Sequence, residues 1–279
     1  MLCLLCTSEK TKLIGTVKST YSWVKILGKT DSEFEVYDCE VCDTRFVFPN
    51  IVSEDLYDFV FKGTDLYRSH LDFALNLAKH DDPSWALLSL GHPYYGILDF
   101  LKGKAGLEVL DIGCSYGSVV YIMNLLGHKA SGIDISNQAI QFAKGIFGNN
   151  YYLTDTKGLL ENNPTLRFDL VTAIEVIEHV SEPMEFIKQC LSLLKPNGSL
   201  LLTTPNKDYK QYSESRKQRE LLEKKIWHFD SPPVHLAIYG EKAMRYIAEQ
   251  NNCKVEFIVC PGLSQTTGNL NLIAVFTKL

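Results

Sequence analysis

Two Cys-x-x-Cys pairs, Cys3-Leu-Leu-Cys6 and Cys39-Glu-Val-Cys42, are the first residues of this 279-residue chain whose type and spacing suggest chemistry. Each pair puts two thiolates on one tight turn, and two such turns close a tetrahedral shell, which is the pattern of a structural zinc site. A redox dithiol would more usually follow a strand and open a helix, and no strand pattern precedes Cys3. Farther along, Glu175-Val-Ile-Glu178-His179 places two carboxylates next to an imidazole. If a helical turn begins at Glu175, these three side chains share a face and could hold a divalent ion; equally, they could shape a ligand pocket. His235, in Ser231-Pro-Pro-Val-His235, is the leading candidate for a general base. An unperturbed imidazole pKa of about 6.5 suits proton abstraction, and the two prolines stiffen its approach. A histidine that only caps the next helix is the competing role. His228 and Tyr239 are weaker candidates.

Three further acids stand where strands should end. Glu108-Val-Leu-Asp111-Ile is an apolar run that breaks into Gly113-Cys114-Ser115-Tyr116-Gly117, a glycine-spaced turn before a helical stretch. That is a buried parallel strand delivering its carboxyl end to a ligand at a helix N-terminus. Lys129 to Asp134 is a second short strand, and Asp134, 23 residues after Asp111, can accept both hydroxyls of a ribose. Tyr151 to Asp155 is a third, with Asp155 able to take the amino group of an adenine.

The elements that position these groups alternate. Phe168 to Ile174 and Ser199 to Thr204 continue the strand series, with a helix from Met184 to Leu194 that Lys195-Pro-Asn-Gly198 should close. A helix from Glu241 to Gln250 precedes two last strands, Lys254 to Val259 and Leu270 to Phe276. Alternation predicts a parallel α/β sheet, and two final strands with no helix between them must pair by reversal. Before the first strand, Leu13 to Val17, Phe34 to Tyr37 and Arg45 to Phe48 are short strands around the cysteine pairs. A helical pattern from Ser53 to Phe100 joins them to the sheet, with Trp85, Tyr94 and Tyr95 as residues that pack or line a pocket. The expected division is 1–52, 53–93 and 94–279. Asn206 to Trp227 is a charged insertion, expected as a solvated amphipathic lid helix; its lysines and arginines could instead hold an anionic acceptor.

Composition narrows the classes. A hydrophobic content of 46% and a charged content of 22% describe a globular chain. The net charge of -5 leaves no general electrostatic footprint for a nucleic-acid backbone. The apolar start, Met1 to Cys6, is too short for a signal-peptide core, and no run is long enough to span a membrane. These features predict a cytoplasmic protein with reduced or metal-bound cysteines.

Taken together, Asp111 to Gly117, Asp134, Phe168 to Val180 and Leu194-Lys-Pro-Asn-Gly-Ser-Leu-Leu-Leu-Thr-Thr-Pro205 resemble a class I S-adenosylmethionine-dependent methyltransferase, over roughly Tyr94 to Leu279. The branch they are most similar to includes the ubiquinone-biosynthesis O-methyltransferases, and the N-terminal unit resembles a zinc ribbon. The resemblance implies a Rossmann-like sheet of order 3-2-1-4-5-7-6 with its last strand antiparallel. It also implies a cofactor lined by Asp111, Gly113, Cys114, Ser115, Gly117, Asp134, Ile135, Asp155 and Glu175. Asp111 and Gly113 would lie near the methionine part, Asp134 on the ribose and Asp155 near the adenine. Ser115 stands where the family usually has glycine. The Glu-x-x-Glu-His segment is similar to the metal ligands of small-RNA 2′-O-methyltransferases, with His235 as the further histidine. The stretch around His235 is similar to one in deoxysugar C-methyltransferases, which also carry an N-terminal zinc unit. The expected function is methyl transfer to a small-molecule acceptor, a sugar or other metabolite hydroxyl. His235, Glu175 and His179 are the candidate catalytic groups, and Cys3, Cys6, Cys39 and Cys42 the zinc ligands. The alternatives are a zinc-ribbon binding module whose methyltransferase-like domain binds cofactor without turnover, and a nucleic-acid methyltransferase.

Overall fold

A computed structural model of the chain describes residues 1–18, 33–50, 65–77, 79, 92–209, 227, 232, 234–260, 266 and 269–279. Residues 19–32 between the cysteine pairs, Trp85, His228 and most of the charged insertion lie outside the described residues.

Seven strands form one sheet: β4 (Glu108–Ile112), β5 (Lys129–Asp134), β6 (Tyr151–Leu153), β7 (Phe168–Ile174), β8 (Leu194–Pro205), β10 (Cys253–Phe257) and β11 (Asn271–Lys278). Their order is β10-β11-β8-β7-β4-β5-β6. β4 pairs in parallel with β5 and β7, β5 with β6, and β7 with β8; β11 is antiparallel to both β8 and β10. This is the expected order, with the reversal at the last strand.

The strands carry continuous apolar runs because both faces are covered. On one face Val109, Leu170, Leu201, Ile273 and Val275 pack under α2 (His92–Leu101), α3 (Ser118–Leu125) and α4 (Asn137–Phe147). Their strand neighbours, Leu110, Val171, Leu200, Leu202, Leu272, Ala274 and Phe276, face the other way. There they meet α5 (Thr156–Asn162), α6 (Pro183–Ser192) and α7 (Glu241–Gln250). The two-residue period of the strand thus divides one run of sequence between two cores. A further helix, α1 (Asp65–Leu77), sets Ala74 against Tyr116 and Ala139.

The N-terminal unit is a second, antiparallel sheet, β1 (Thr11–Lys18), β2 (Glu33–Cys39) and β3 (Arg45–Phe48). Its fourth strand, β9 (Ala237–Ile238), comes from far along the chain and pairs with β3 through Arg45↔Ile238 and Phe46↔Ala237. Cys3, Leu5, Cys39, Cys42 and Phe46 also share a core with Tyr239, Ala243, Met244 and Ile247. The cysteine unit is therefore built into the face of the large domain.

Two boundaries differ from expectation. The third strand stops at Leu153, because Asp155 turns outward as the N-cap of α5 and accepts the Gly158 amide at 2.7 Å. Leu194 already pairs with Phe168, and the register then shifts to Leu170↔Ser199, so Lys195 to Gly198 form an irregularity inside β8.

Candidate active site

A cavity of about 680 Å³ opens at the carboxyl ends of β4, β5 and β7. Asp111, Gly113, Cys114, Ser115, Asp134, Ile135, Asp155, Glu175, His179 and His235 all line it. Gly117 does not. It has φ 84°, and a Cβ there would lie 2.5 Å from the Tyr151 ring, whose hydroxyl donates to the Gly117 carbonyl at 3.0 Å. Its role is to let the turn close on the third strand.

The turn is held by the second strand. The Gly113 and Cys114 amides donate to the Ile133 carbonyl at 2.9 and 3.0 Å. Asp134, 7% exposed, accepts the Ser115 amide on Oδ2 and the Ser136 amide on Oδ1, both at 2.8 Å. Burial raises its pKa, and these backbone donors oppose the shift. Ser115 is in the left-handed region at φ 49°, which accounts for the usual glycine. Its Oγ is buried without a hydrogen-bond partner.

Asp111 is 2% exposed and accepts the Thr172 hydroxyl at 2.6 Å. Burial, aided by the nearby Asp134, pushes its carboxyl up to about 7 although Thr172 opposes this. Burial and the adjacent acids also raise the Cys114 thiol, keeping it neutral. Tyr94 lines the same end; burial, then Asp111 and Glu175, raise its phenol. Among the described residues, six carboxylates line the cavity (Asp111, Asp134, Asp155, Glu175, Glu182 and Glu185) against one lysine, Lys157. Such a lining favours a cationic ligand.

Past β7 the expected shared face of Glu175, Glu178 and His179 does not form. Glu175 adopts φ 54°, and only Ile177–His179 make a short 3₁₀ turn, so helical spacing does not run back to residue 175. Glu175 is fixed separately, accepting Thr203 Oγ1 and Asn271 Nδ2, each at 2.7 Å. Neither partner stood out in the sequence; a hydroxyl and an amide at the ends of two apolar strands were the available signal.

Glu178, His179 and His235 do come together, with one potential ligand atom from each within 4.8 Å of the others. Glu178 is fully buried and accepts the Thr204 hydroxyl at 3.1 Å. His179 Nδ1 lies 2.6 Å from the Val234 carbonyl. A carbonyl only accepts, so Nδ1 carries the proton. The His179 and His235 rings meet edge to face, centroids 4.7 Å apart. His235 is 7% exposed, and burial, then the neighbouring His179, hold its pKa well below the ordinary imidazole value. It is neutral at physiological pH. His70 and Phe73 of α1 also line the cavity and were not singled out in the sequence. Tyr239 is fully buried, with its hydroxyl on the Ile177 carbonyl at 3.4 Å, and serves packing.

The four paired cysteines converge, all sulfurs lying within 4.8 Å of one another. Cys3 and Cys42 are 3.5 Å apart, as are Cys6 and Cys39. A tetrahedron with zinc–sulfur bonds of about 2.3 Å has edges of about 3.8 Å, so the donor set fits that ion. The two turns repeat one geometry. The amides of Thr7 and Asp43 donate to the carbonyls of Cys3 and Cys39, both at 3.0 Å, and both donor residues have positive φ, 56° and 64°.

Residues 92–257 match a methyltransferase domain family. The chain is 37% identical over 115 residues to the ubiquinone biosynthesis O-methyltransferase of Bradyrhizobium diazoefficiens, covering 40% of this chain and 46% of that one. It is 36% identical over 171 residues to the enzyme of the same name from Rhodopseudomonas palustris, covering 60% and 59%. The chain thus spans about half the length of the curated relatives it matches. The magnesium protoporphyrin IX methyltransferase of Synechocystis PCC 6803 superposes with a TM-score of 0.53 at 18% identity, covering 81% of this chain and 100% of that one, a likeness of fold. Among the described residues no helix is long and apolar enough to cross a membrane.

Proposed function

The chain belongs to the class I S-adenosylmethionine-dependent methyltransferases, and we propose that it moves the methyl group of that cofactor to the hydroxyl of a small-molecule acceptor. The supporting observation is that one cavity joins the strand-end acids Asp111, Asp134 and Asp155 to the His179 and His235 pair. The name shared by the curated relatives favours an oxygen acceptor. Residues 1–52 form a metal-binding unit in this reading and 94–279 the catalytic domain; most of the expected helical segment 53–93 lies outside the described residues.

The donor set fits the cofactor. Asp134 would hold the ribose hydroxyls and Asp155 the adenine, while the partnerless Ser115 Oγ and the carboxylates of Asp111 and Glu175 would meet the methionine part. When bound, S-adenosylmethionine supplies a methyl group on a sulfonium, which leaves as a neutral sulfide. What remains for the chain is alignment in a dry site and removal of one proton from the acceptor. His235, held neutral, is the proposed base, and His179 presents Nε2 beside it.

A second reading rests on the grouping of Glu178, His179 and His235. Those three side chains would hold a divalent ion, which acidifies an acceptor hydroxyl; Glu175 would not take part. Incubation with methyl-labelled cofactor and fractionated cell metabolites tests both. The base reading expects labelling of a fraction by the wild type, a loss of about 10²-fold or more in His235→Ala, and no effect of EDTA at a concentration that leaves the metal at the four cysteines in place. Loss of labelling at that concentration and recovery with added divalent ion would select the metal reading. Tight cofactor binding with no labelled fraction would leave a cofactor-binding module without turnover.

A further inference from the structure

The cysteine unit touches the candidate active site through a short backbone relay. The Val47 amide of β3 donates to the Leu236 carbonyl at 3.0 Å, and the Leu236 amide donates to the Glu178 carbonyl at 2.7 Å. The two residues before Leu236 are Val234 and His235. The Val234 carbonyl sets the tautomer of His179, and His235 meets the same ring edge to face. One extended segment, 234–238, thus has the cysteine-unit sheet on one side and the Glu178–His179 turn on the other.

A second tie comes from Lys207. Its amide donates to the Tyr239 carbonyl at 2.9 Å, just past β9. Its largely buried ammonium donates to the Asp43 carbonyl at 2.8 Å and to the Asp43 carboxylate. Asp43 is the left-handed residue that closes the second cysteine turn, immediately after Cys42. A displacement of that turn is therefore carried to segment 234–238 by two routes, the β3–β9 ladder and the Lys207 side chain. Among the described residues the cofactor end has no such hydrogen-bonded link. Its turn is held by Ile133, Asp134 and Tyr151, all from the large sheet.

We infer that the four-cysteine unit is a positioning frame for the acceptor side of the cavity: metal at Cys3, Cys6, Cys39 and Cys42 sets the placement of His179 and His235, and cofactor binding does not depend on it. Lys207 and Asp43 are positioning residues that act through segment 234–238. The inference deepens the methyltransferase reading and rests on it for the meaning of the acceptor side.

The full chain tests this by hydrogen exchange, read with and without metal removal by a thiol-reactive agent and chelator. Without metal, amides in 45–48 and 234–238 should exchange at least about 10-fold faster. Amides in 108–117 and 129–136 should keep their protection, and the cofactor dissociation constant should stay within about 3-fold. Unchanged protection in 234–238 while 45–48 loosens would overturn the frame. So would a collapse of cofactor affinity alongside the metal, which would make the ion a support of the whole fold, and so would a purified chain with full protection and no metal. Lys207→Met gives a second, metal-replete measurement. Faster exchange in 234–238 at unchanged metal content is expected, with recovery in Lys207→Arg; normal exchange in Lys207→Met would overturn the Lys207 route. Failure of the metal-replete wild type to bind S-adenosylmethionine would instead strike the methyltransferase reading, whatever the exchange pattern.

Discussion

The two ends of the cavity are made in different ways. At the cofactor end each group sits within a few residues of a strand terminus and is held by donors close to it, Asp134 by the Ser115 and Ser136 amides, Asp155 by the Gly158 amide and Asp111 by the Thr172 hydroxyl of the adjacent strand. At the acceptor end, Glu178 and His179 meet His235 across a sequence gap of more than fifty residues, with a separate sheet behind them. Local construction makes the first end resistant to change elsewhere in the chain. Assembly from distant segments makes the second end depend on every element that seats it, and leaves it free to diverge without loss of the cofactor.

Substitutions at the two ends should therefore separate binding from turnover. His235→Ala is expected to have the largest effect, a loss of about 10²-fold or more in labelled methyl transfer, with the cofactor dissociation constant by calorimetry unchanged within about 2-fold. A matching loss of cofactor affinity would erase the distinction between the ends. Asp134→Ala should do the opposite. It removes a charged acceptor from two backbone amides and a ribose partner, weakening cofactor binding by about 10- to 100-fold, while exchange in 234–238 stays as in the wild type.

Asp111 sharpens the comparison through pH. Its folded carboxyl is pushed up to about 7, above the unfolded value of about 3.9, so the folded state holds the proton more tightly. Its contribution to stability is present below about pH 4 and is lost as pH rises through about 7. Cofactor-free protein should then melt several degrees lower at pH 8 than at pH 5.5 through this group, and Asp111→Asn should remove most of that difference. A cationic ligand should counter the loss, so the rise in Tm on adding S-adenosylmethionine should be larger at pH 8. Equal rises at both pH values would place the ligand's charge away from Asp111. The smallest effect is expected from Ser115→Gly. Relief of the left-handed backbone should stabilise the cofactor-free protein by about 1 kcal/mol, whereas loss of the hydroxyl should weaken cofactor binding a few-fold. Unchanged binding would mean that Oγ makes no contact with the ligand.

Much of the cofactor end was legible because its signals are local. An apolar run ending in an acid, then left-handed turn positions at Gly113, Ser115 and Gly117, states a strand, a turn and a ligand-facing carboxylate within ten residues. The two cysteine turns were legible for the same reason, since each is complete in five residues. Gly117 shows the limit even there: its spacing suggested a ligand contact, and its packing against Tyr151 gives it a structural role. At the acceptor end a helical face was expected for Glu175, Glu178 and His179. The left-handed backbone at Glu175 breaks that periodicity, and its anchors Thr203 and Asn271 lie on two other strands.

Sequence by itself determined the alternation of strands and helices, the strand-end acids that line the cavity and the two cysteine turns, because strand periodicity, terminal acids and paired thiols are encoded in short, contiguous patterns; the strand order followed from the family resemblance. Only the tertiary structure decided that Glu178 rather than Glu175 joins the two histidines, and that β9 makes the cysteine unit the backing of that site. Those outcomes depend on a single φ angle and on pairing between strands almost two hundred residues apart, and neither leaves a periodic trace in the chain.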